Sequence, residues 1–198
     1  MPITASSRRR GPRLILVTRQ ENMKTETRNS TIHGTGVFTR DRIPRGAVVL
    51  QVDDSRIVDD DHPIREDMGE NRDHCDYLPD GTTVLMAEPE RYINHSCDPN
   101  VFVYSVDGTR FVLALRDISP GEEIVYDYSV NAAYDVVWTC RCRASNCRGR
   151  HNFNFFSLSE AKQLEYLPFL DPWFARIHED RIRNLLRRKA EQSNAADS

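Results

Sequence analysis

Tyr92-Ile93-Asn94-His95-Ser96-Cys97-Asp98-Pro99-Asn100 sets an amide, an imidazole, a hydroxyl and a thiol side by side and ends in an Asp-Pro-Asn turn. A run this polar predicts a loop, with Asn94 and Asn100 bonding to nearby backbone. Further along, Gly121-Glu122-Glu123-Ile124-Val125-Tyr126-Asp127-Tyr128 leaves a Pro-Gly turn and enters a strand. Side chains alternate along a strand, so Tyr126 and Tyr128 share a face and two phenols line one surface. Taken alone, such a pair reads as amphipathic packing.

Outward from these two segments the apolar runs stay short. Leu14-Ile15-Leu16-Val17, Gly36-Val37-Phe38, Ala47-Val48-Val49-Leu50 and Val84-Leu85-Met86 are β-favouring and are broken by Gly, Pro or Asp, with no helical periodicity before about residue 130. Val101 to Ile118 predicts a hairpin of two buried strands, turned at Asp107-Gly108. The turns Ile43-Pro44-Arg45-Gly46 and Ile118-Ser119-Pro120-Gly121 each deliver the chain into a further strand. A mostly β domain is expected from Leu14, after a mobile basic tail at residues 1–13.

Beyond residue 150 the pattern turns helical. Ser157-Leu158-Ser159-Glu160 reads as a capping box, Pro168 and Pro172 divide the tract into two helices, and about ten final residues are expected to fray. The apolar face containing Leu164, Leu167, Trp173, Phe174 and Leu185 must be buried on the domain or on a second copy, which leaves a homodimer through these helices open.

A chain of 198 residues suits one domain with appendages, and 29% charged residues suit a solvated surface. No stretch approaches the roughly 20 apolar residues of a membrane span, and no apolar region follows the basic start. The expectation is an intracellular protein, cytoplasmic or nuclear, neither secreted nor membrane-bound. Arginines cluster at 8–13 and 181–188 without interleaved aromatics, so they read as a solvated tail and helix face, and no direct nucleic-acid contact is expected. Residues 53–73 carry nine acidic side chains against three arginines, a net charge of −6, which would draw a basic partner or simply solvate a loop.

Five cysteines, an odd number, argue against a disulfide framework. Cys140, Cys142 and Cys147 place three thiols within eight residues, and tetrahedral zinc asks for a fourth. Cys97, in its polar turn-rich segment, is a better candidate than Cys75 in the acidic tract. Such a site would join segments more than forty residues apart and contribute folding free energy.

His33-Gly34-Thr35-Gly36-Val37-Phe38, the Asn94-His95-Ser96-Cys97 segment, the tyrosine strand and the Cys140-x-Cys142-x4-Cys147 cluster occur in that order. Together they resemble the SET domain with its post-SET cysteine segment, over about residues 28 to 150. The resemblance implies small, mostly antiparallel sheets (a β-clip) in which the Asn94 segment and the tyrosine strand make a knot-like crossing. It divides the chain into the tail, a SET domain at 14–135 with core motifs at 28–130, a post-SET zinc segment at 136–150 and a helical extension at 151–198.

It also implies a protein-lysine methyltransferase using S-adenosylmethionine, with one structural Zn2+ on Cys97, Cys140, Cys142 and Cys147. The backbone around His33, Gly34, Thr35 and Gly36 would hold the methionine part of the cofactor, and Asn94 and His95 its amino and adenine groups. Tyr77 falls near another cofactor-side tyrosine of the family, and Trp138 would cover the adenine or serve the core. Tyr128 would sit beside the sulfonium and orient the lysine amine, while a tyrosine at 126 implies mono- or dimethylation of a basic, histone-like substrate. One departure stands out: many members carry a channel tyrosine soon after the strand at 47–50, and Gln51-Val52-Asp53-Asp54 has none. A silent module that binds peptide or cofactor as an adaptor is the competing reading, and a zinc module for nucleic acid is a more distant one.

Overall fold

The computed structural model describes residues 25–196. The expected tail at 1–13 and strand Leu14–Val17 lie outside the described residues. The chain runs through β1 (Thr25–Asn29), β2 (Thr35–Thr39) and β3 (Val48–Gln51), then an irregular stretch to the short pair β4 (Cys75–Tyr77) and β5 (Thr83–Leu85). Next come β6 (Asn94–His95), the hairpin β7 (Val101–Val106) and β8 (Thr109–Ala114), and β9 (Glu123–Tyr126). A ribbon of β10 (Ala133–Thr139) and β11 (Arg150–Asn154) leads into α1 (Glu160–Tyr166), α2 (Pro172–Ile177) and α3 (Glu179–Ala196).

Four small sheets result, in the orders β1-β2-β9-β6, β3-β8-β7, β4-β5 and β10-β11. All pairings are antiparallel except β6 with β9, which run parallel with Asn94 opposite Val125 and His95 opposite Tyr126. The hairpin turns where expected, with Asp107 at φ 50° and Gly108 at φ 80°, the left-handed pair that matches strand twist. Its arms are buried toward the sheet base and only partly covered toward the tip. The two Pro-Gly turns meet each other, because Ile43 and Ile118 form a bridge that places both side chains in the core. That core is built from Val37, Val49, Leu50, Ile93, Val112 and Ile124 as well.

The C-terminal tract forms three helices rather than two. Pro172 starts α2 as its first residue, with Asp171 as the cap accepting from the Trp173 N–H, and the chain breaks again at His178. The predicted capping box is displaced by two residues: Ser159, not Ser157, caps α1 by accepting from the Lys162 N–H. Ser157 lies instead in a 3-10 turn and donates to the Asn154 carbonyl. The last helix continues to Ala196, and its acidic first turn, Glu179 and Asp180, favours the helix N-terminus. The apolar face is covered within the chain, where Leu158, Tyr166, Leu170 and Phe174 close over Phe155. Phe169 links this layer to the hairpin, its ring 5.0 Å from that of Phe102. Ile177 and Leu186 stay exposed. No helix among the described residues is long and apolar enough to cross a membrane.

Candidate active site and cysteine cluster

The Asn94 segment is not the self-capped loop its composition suggests. Burial on β9 removes its polar groups from water, so they must find partners within the protein, and both asparagines find them at long range. Asn94, 8% exposed, donates from Nδ2 to the His33 and Thr35 carbonyls, both at 3.1 Å, and to Glu123 Oε1 at 2.9 Å. One amide thereby fixes the His33–Thr35 loop against the tyrosine strand. Asn100, fully buried, spans β9, donating to the Glu123 carbonyl at 2.8 Å and accepting from the Val125 N–H at 2.9 Å. Gly36 faces the other way. A Cβ there would collide with the Glu123 carboxylate, which also accepts from the Ser30 hydroxyl at 2.8 Å. Gly36 therefore permits close approach of Glu123 and does not line the cavity, in contrast with His33, Gly34 and Thr35.

That cavity, about 1110 Å³, runs between the Asn94 segment, the tyrosine strand, β4 and β10. Tyr126 and Tyr128 both line it with ring centroids 4.6 Å apart, although Tyr128 lies just beyond the end of β9. The Tyr128 hydroxyl donates to the Ile93 carbonyl at 2.7 Å, which leaves its oxygen lone pairs available as acceptors. Burial, with Glu123 nearby, raises its pKa, so the phenol stays protonated at neutral pH. Burial likewise pushes Tyr126 well above the ordinary phenol value. Trp138 lines the cavity opposite, 5.3 Å from the Tyr128 ring and 5.0 Å from that of Phe153. Its buried indole N–H has no hydrogen-bond partner among the described residues. Tyr77 and Tyr134, with centroids 6.2 Å apart, stand at the exposed edge, so tyrosines from β4 and β10 enter the cavity where the 51–54 segment supplies none.

His95 connects the cavity to the cysteines. Its Nδ1 accepts from the Tyr128 N–H at 3.2 Å, which places the ring proton on Nε2, 3.4 Å from Cys97 Sγ. Burial first, then the His151 ring beside it, lowers its pKa to about 3, so it is neutral. The 3.8 Å approach of its Nδ1 to Asp127 is consequently a polar contact and not an ion pair.

Cys97, Cys140, Cys142 and Cys147 come together with all four sulfurs within 4.8 Å of one another, while Cys75 lies apart in β4. Four zinc–sulfur bonds of about 2.3 Å at tetrahedral angles separate sulfurs by about 3.8 Å. The Cys97–Cys140 separation is 3.8 Å. The Cys97 and Arg148 N–H groups point at Cys142 Sγ and Cys97 Sγ, each at 3.5 Å, as donors to thiolates. The residues present therefore suit one structural zinc ion.

Sequence reasoning missed a buried hub beside this cluster. Asp127, 1% exposed, receives a two-pronged bond from Arg148 at 2.7 and 2.8 Å and the Tyr166 hydroxyl at 3.3 Å. Burial works to raise its pKa, but the Arg148 bonds and charge outweigh this and hold it below the carboxylate range. His151, stacked 4.1 Å from His95, accepts from Arg148 at 2.7 Å on Nδ1. The residue preceding Tyr128 is thus tied to both the cysteine segment and α1. The position of Arg148, directly after Cys147, was the available signal.

Residues 34–129 match the SET domain family. This part of the chain is a SET domain. The histone-lysine N-methyltransferase, H3 lysine-4 specific, of Schizosaccharomyces pombe is 33% identical over 136 residues, 62% of this chain and 14% of that protein. Histone-lysine N-methyltransferase 2B of Homo sapiens is 34% identical over 138 residues, 60% of this chain and 5% of that protein. A solved structure of KRYPTONITE in complex with mCHG DNA and SAH overlaps at 26% identity with a TM-score of 0.46, covering 64% of this chain and 28% of that one. The chain thus spans only a small part of these much longer relatives.

Proposed function

We propose that the chain is an S-adenosylmethionine-dependent protein-lysine N-methyltransferase acting on a basic protein such as a histone. The observation that carries this reading is Tyr128, pinned by its hydroxyl to Ile93 inside a cavity that the Asn94-braced His33–Thr35 loop also lines. His33, Gly34, Thr35, Asn94 and His95 would hold the cofactor, with Trp138 over its adenine and Tyr77 at its edge; an acceptor on the ligand would satisfy the stranded Trp138 N–H. When bound, the cofactor supplies a methyl group made electrophilic by a sulfonium. Cys97, Cys140, Cys142 and Cys147 would hold zinc as a structural tie only.

The chain's own task is to present a neutral, aligned amine. Aromatic walls strip water from a lysine ammonium and lower its pKa. The Tyr128 oxygen accepts an amine N–H and aims the nitrogen lone pair, since a protonated phenol whose own proton lies on Ile93 is an acceptor and not a base. Tyr126, beside it, fills the space a further methyl group would need, which favours mono- or dimethyl-lysine.

Purified protein given radiolabelled cofactor and mixed histones is expected to transfer label to lysine, with Tyr128→Phe slower by about 100-fold and Tyr126→Phe shifting the product toward trimethyl-lysine by mass spectrometry. Wild type that transfers no label would remove the enzyme reading in favour of a binding module.

A further inference from the structure

The acidic tract at 53–73 predicted attraction for a basic substrate, yet the fold pairs three of its nine carboxylates internally. Asp54 binds Arg110, Glu70 binds Arg56 and Arg65, and Asp59 binds His62. Of the tract only Asp73 lines the cavity. The carboxylate placed among the tyrosines lies just outside it, at Asp76 on β4. We infer that Asp76 recognises the cationic side chain of the substrate at the aromatic mouth of the cavity, a specificity determinant that rests on reading this cavity as a lysine site.

Three observations support the assignment. Asp76 lines the cavity beside Tyr77 and Tyr134, and its charge, together with that of Arg110, acts on the Tyr126 hydroxyl. Its side chain is 41% exposed, whereas Arg110 and Asp54, with which it forms a charge triad, are 12% and 19% exposed. The triad sums to one negative charge, and Asp54 alone can keep Arg110 paired through Nε and Nη2. Asp76 is held by the Tyr77 N–H at 2.8 Å and by Arg110 Nη1, so it is fixed in place with acceptor capacity left on both oxygens. Of the other cavity-lining carboxylates, Glu90, Asp127 and Asp171 are each at most 6% exposed and already bonded within the protein, while Asp73 is exposed in the 3-10 turn that precedes β4. Aromatic faces and an accessible carboxylate fixed among them together select a cation over a neutral chain of equal length.

Asp54 provides the control, because it bonds to the same arginine but does not line the cavity. A fluorescein-labelled histone H3 N-terminal peptide and its all-norleucine counterpart, which keeps the stems and loses the charges, are titrated against wild type, Asp76→Asn and Asp54→Asn by anisotropy. Wild type should prefer the lysine peptide. Asp76→Asn should weaken that peptide by about fivefold and leave the norleucine peptide unchanged, while Asp54→Asn changes neither by more than about twofold. Equal losses in the two variants, equal losses for the two peptides, or a wild type that does not discriminate would overturn the assignment. Methyl transfer is assayed separately, so a lysine preference that depends on Asp76 without label transfer would count against the enzyme reading alone.

Discussion

Around Ile43, Val49, Ile118 and Ile124 the chain is held by apolar burial and strand pairing, whereas from Cys140 to Cys147 it buries sulfur with Ile32 and Ala144 as its only aliphatic neighbours among the described residues. The first region has the contacts to persist without any ion. The second gathers four cysteines that favour proximity only around a cation, plus the Arg148–Asp127 fork. One wall of the cavity is therefore thermodynamically part of the β core, and the opposite wall is conditional.

Removing the metal gives the largest test of that contrast. Chelation is expected to release one zinc per chain, on the order of 10 kcal/mol of binding free energy, and to abolish hydrogen-exchange protection at the Cys140 and Cys147 amides while Val37 and Ile124 keep theirs. Uniform loss of protection would erase the distinction between the walls. A smaller effect is expected from Arg148→Ala, which leaves the Asp127 carboxylate buried without its cation and should cost about 3 kcal/mol in denaturant unfolding. Zinc content should stay at one, because the Arg148 contact to Cys97 is made by the backbone N–H.

The smallest test concerns a loop outside both walls. Glu70 is pushed to about 2, from an ordinary value of 4.5, chiefly by its bond to Arg56 and then by Arg65. Because the folded value is depressed, its stabilisation is complete above about pH 4.5 and is lost as pH falls through about 2. Exchange at Met68 and Gly69 should accelerate over that interval, ahead of β2 and β9. Synchronous change would mean the loop is no separate unit.

The motifs were legible because each is a local pattern whose chemistry survives without context: the Asp107-Gly108 turn, the three C-terminal cysteines, the alternating tyrosines. What escaped depends on partners far away in sequence. Nothing local says that Asn94 will brace residues 33–35, that Gly36 exists to admit Glu123, or that Arg110 will absorb Asp54 and leave Asp76 facing the cavity. The capping error was of another kind. Ser157 and Ser159 are equivalent as local capping residues, and the choice fell to the 3-10 turn at Phe155–Ser157, whose ring is drawn into the helical layer by burial.

The parallel pairing of β6 with β9 carries a consequence for biosynthesis. A ribosome delivers Asn94 and His95 well before Val125 and Tyr126, and Cys97 more than forty residues before its sulfur neighbours. Through that interval the nascent chain holds an unmatched polar strand and a lone thiol. The cavity acquires its full lining only when residues as late as Trp173 have left the exit tunnel, so translation order makes closure a late event in maturation.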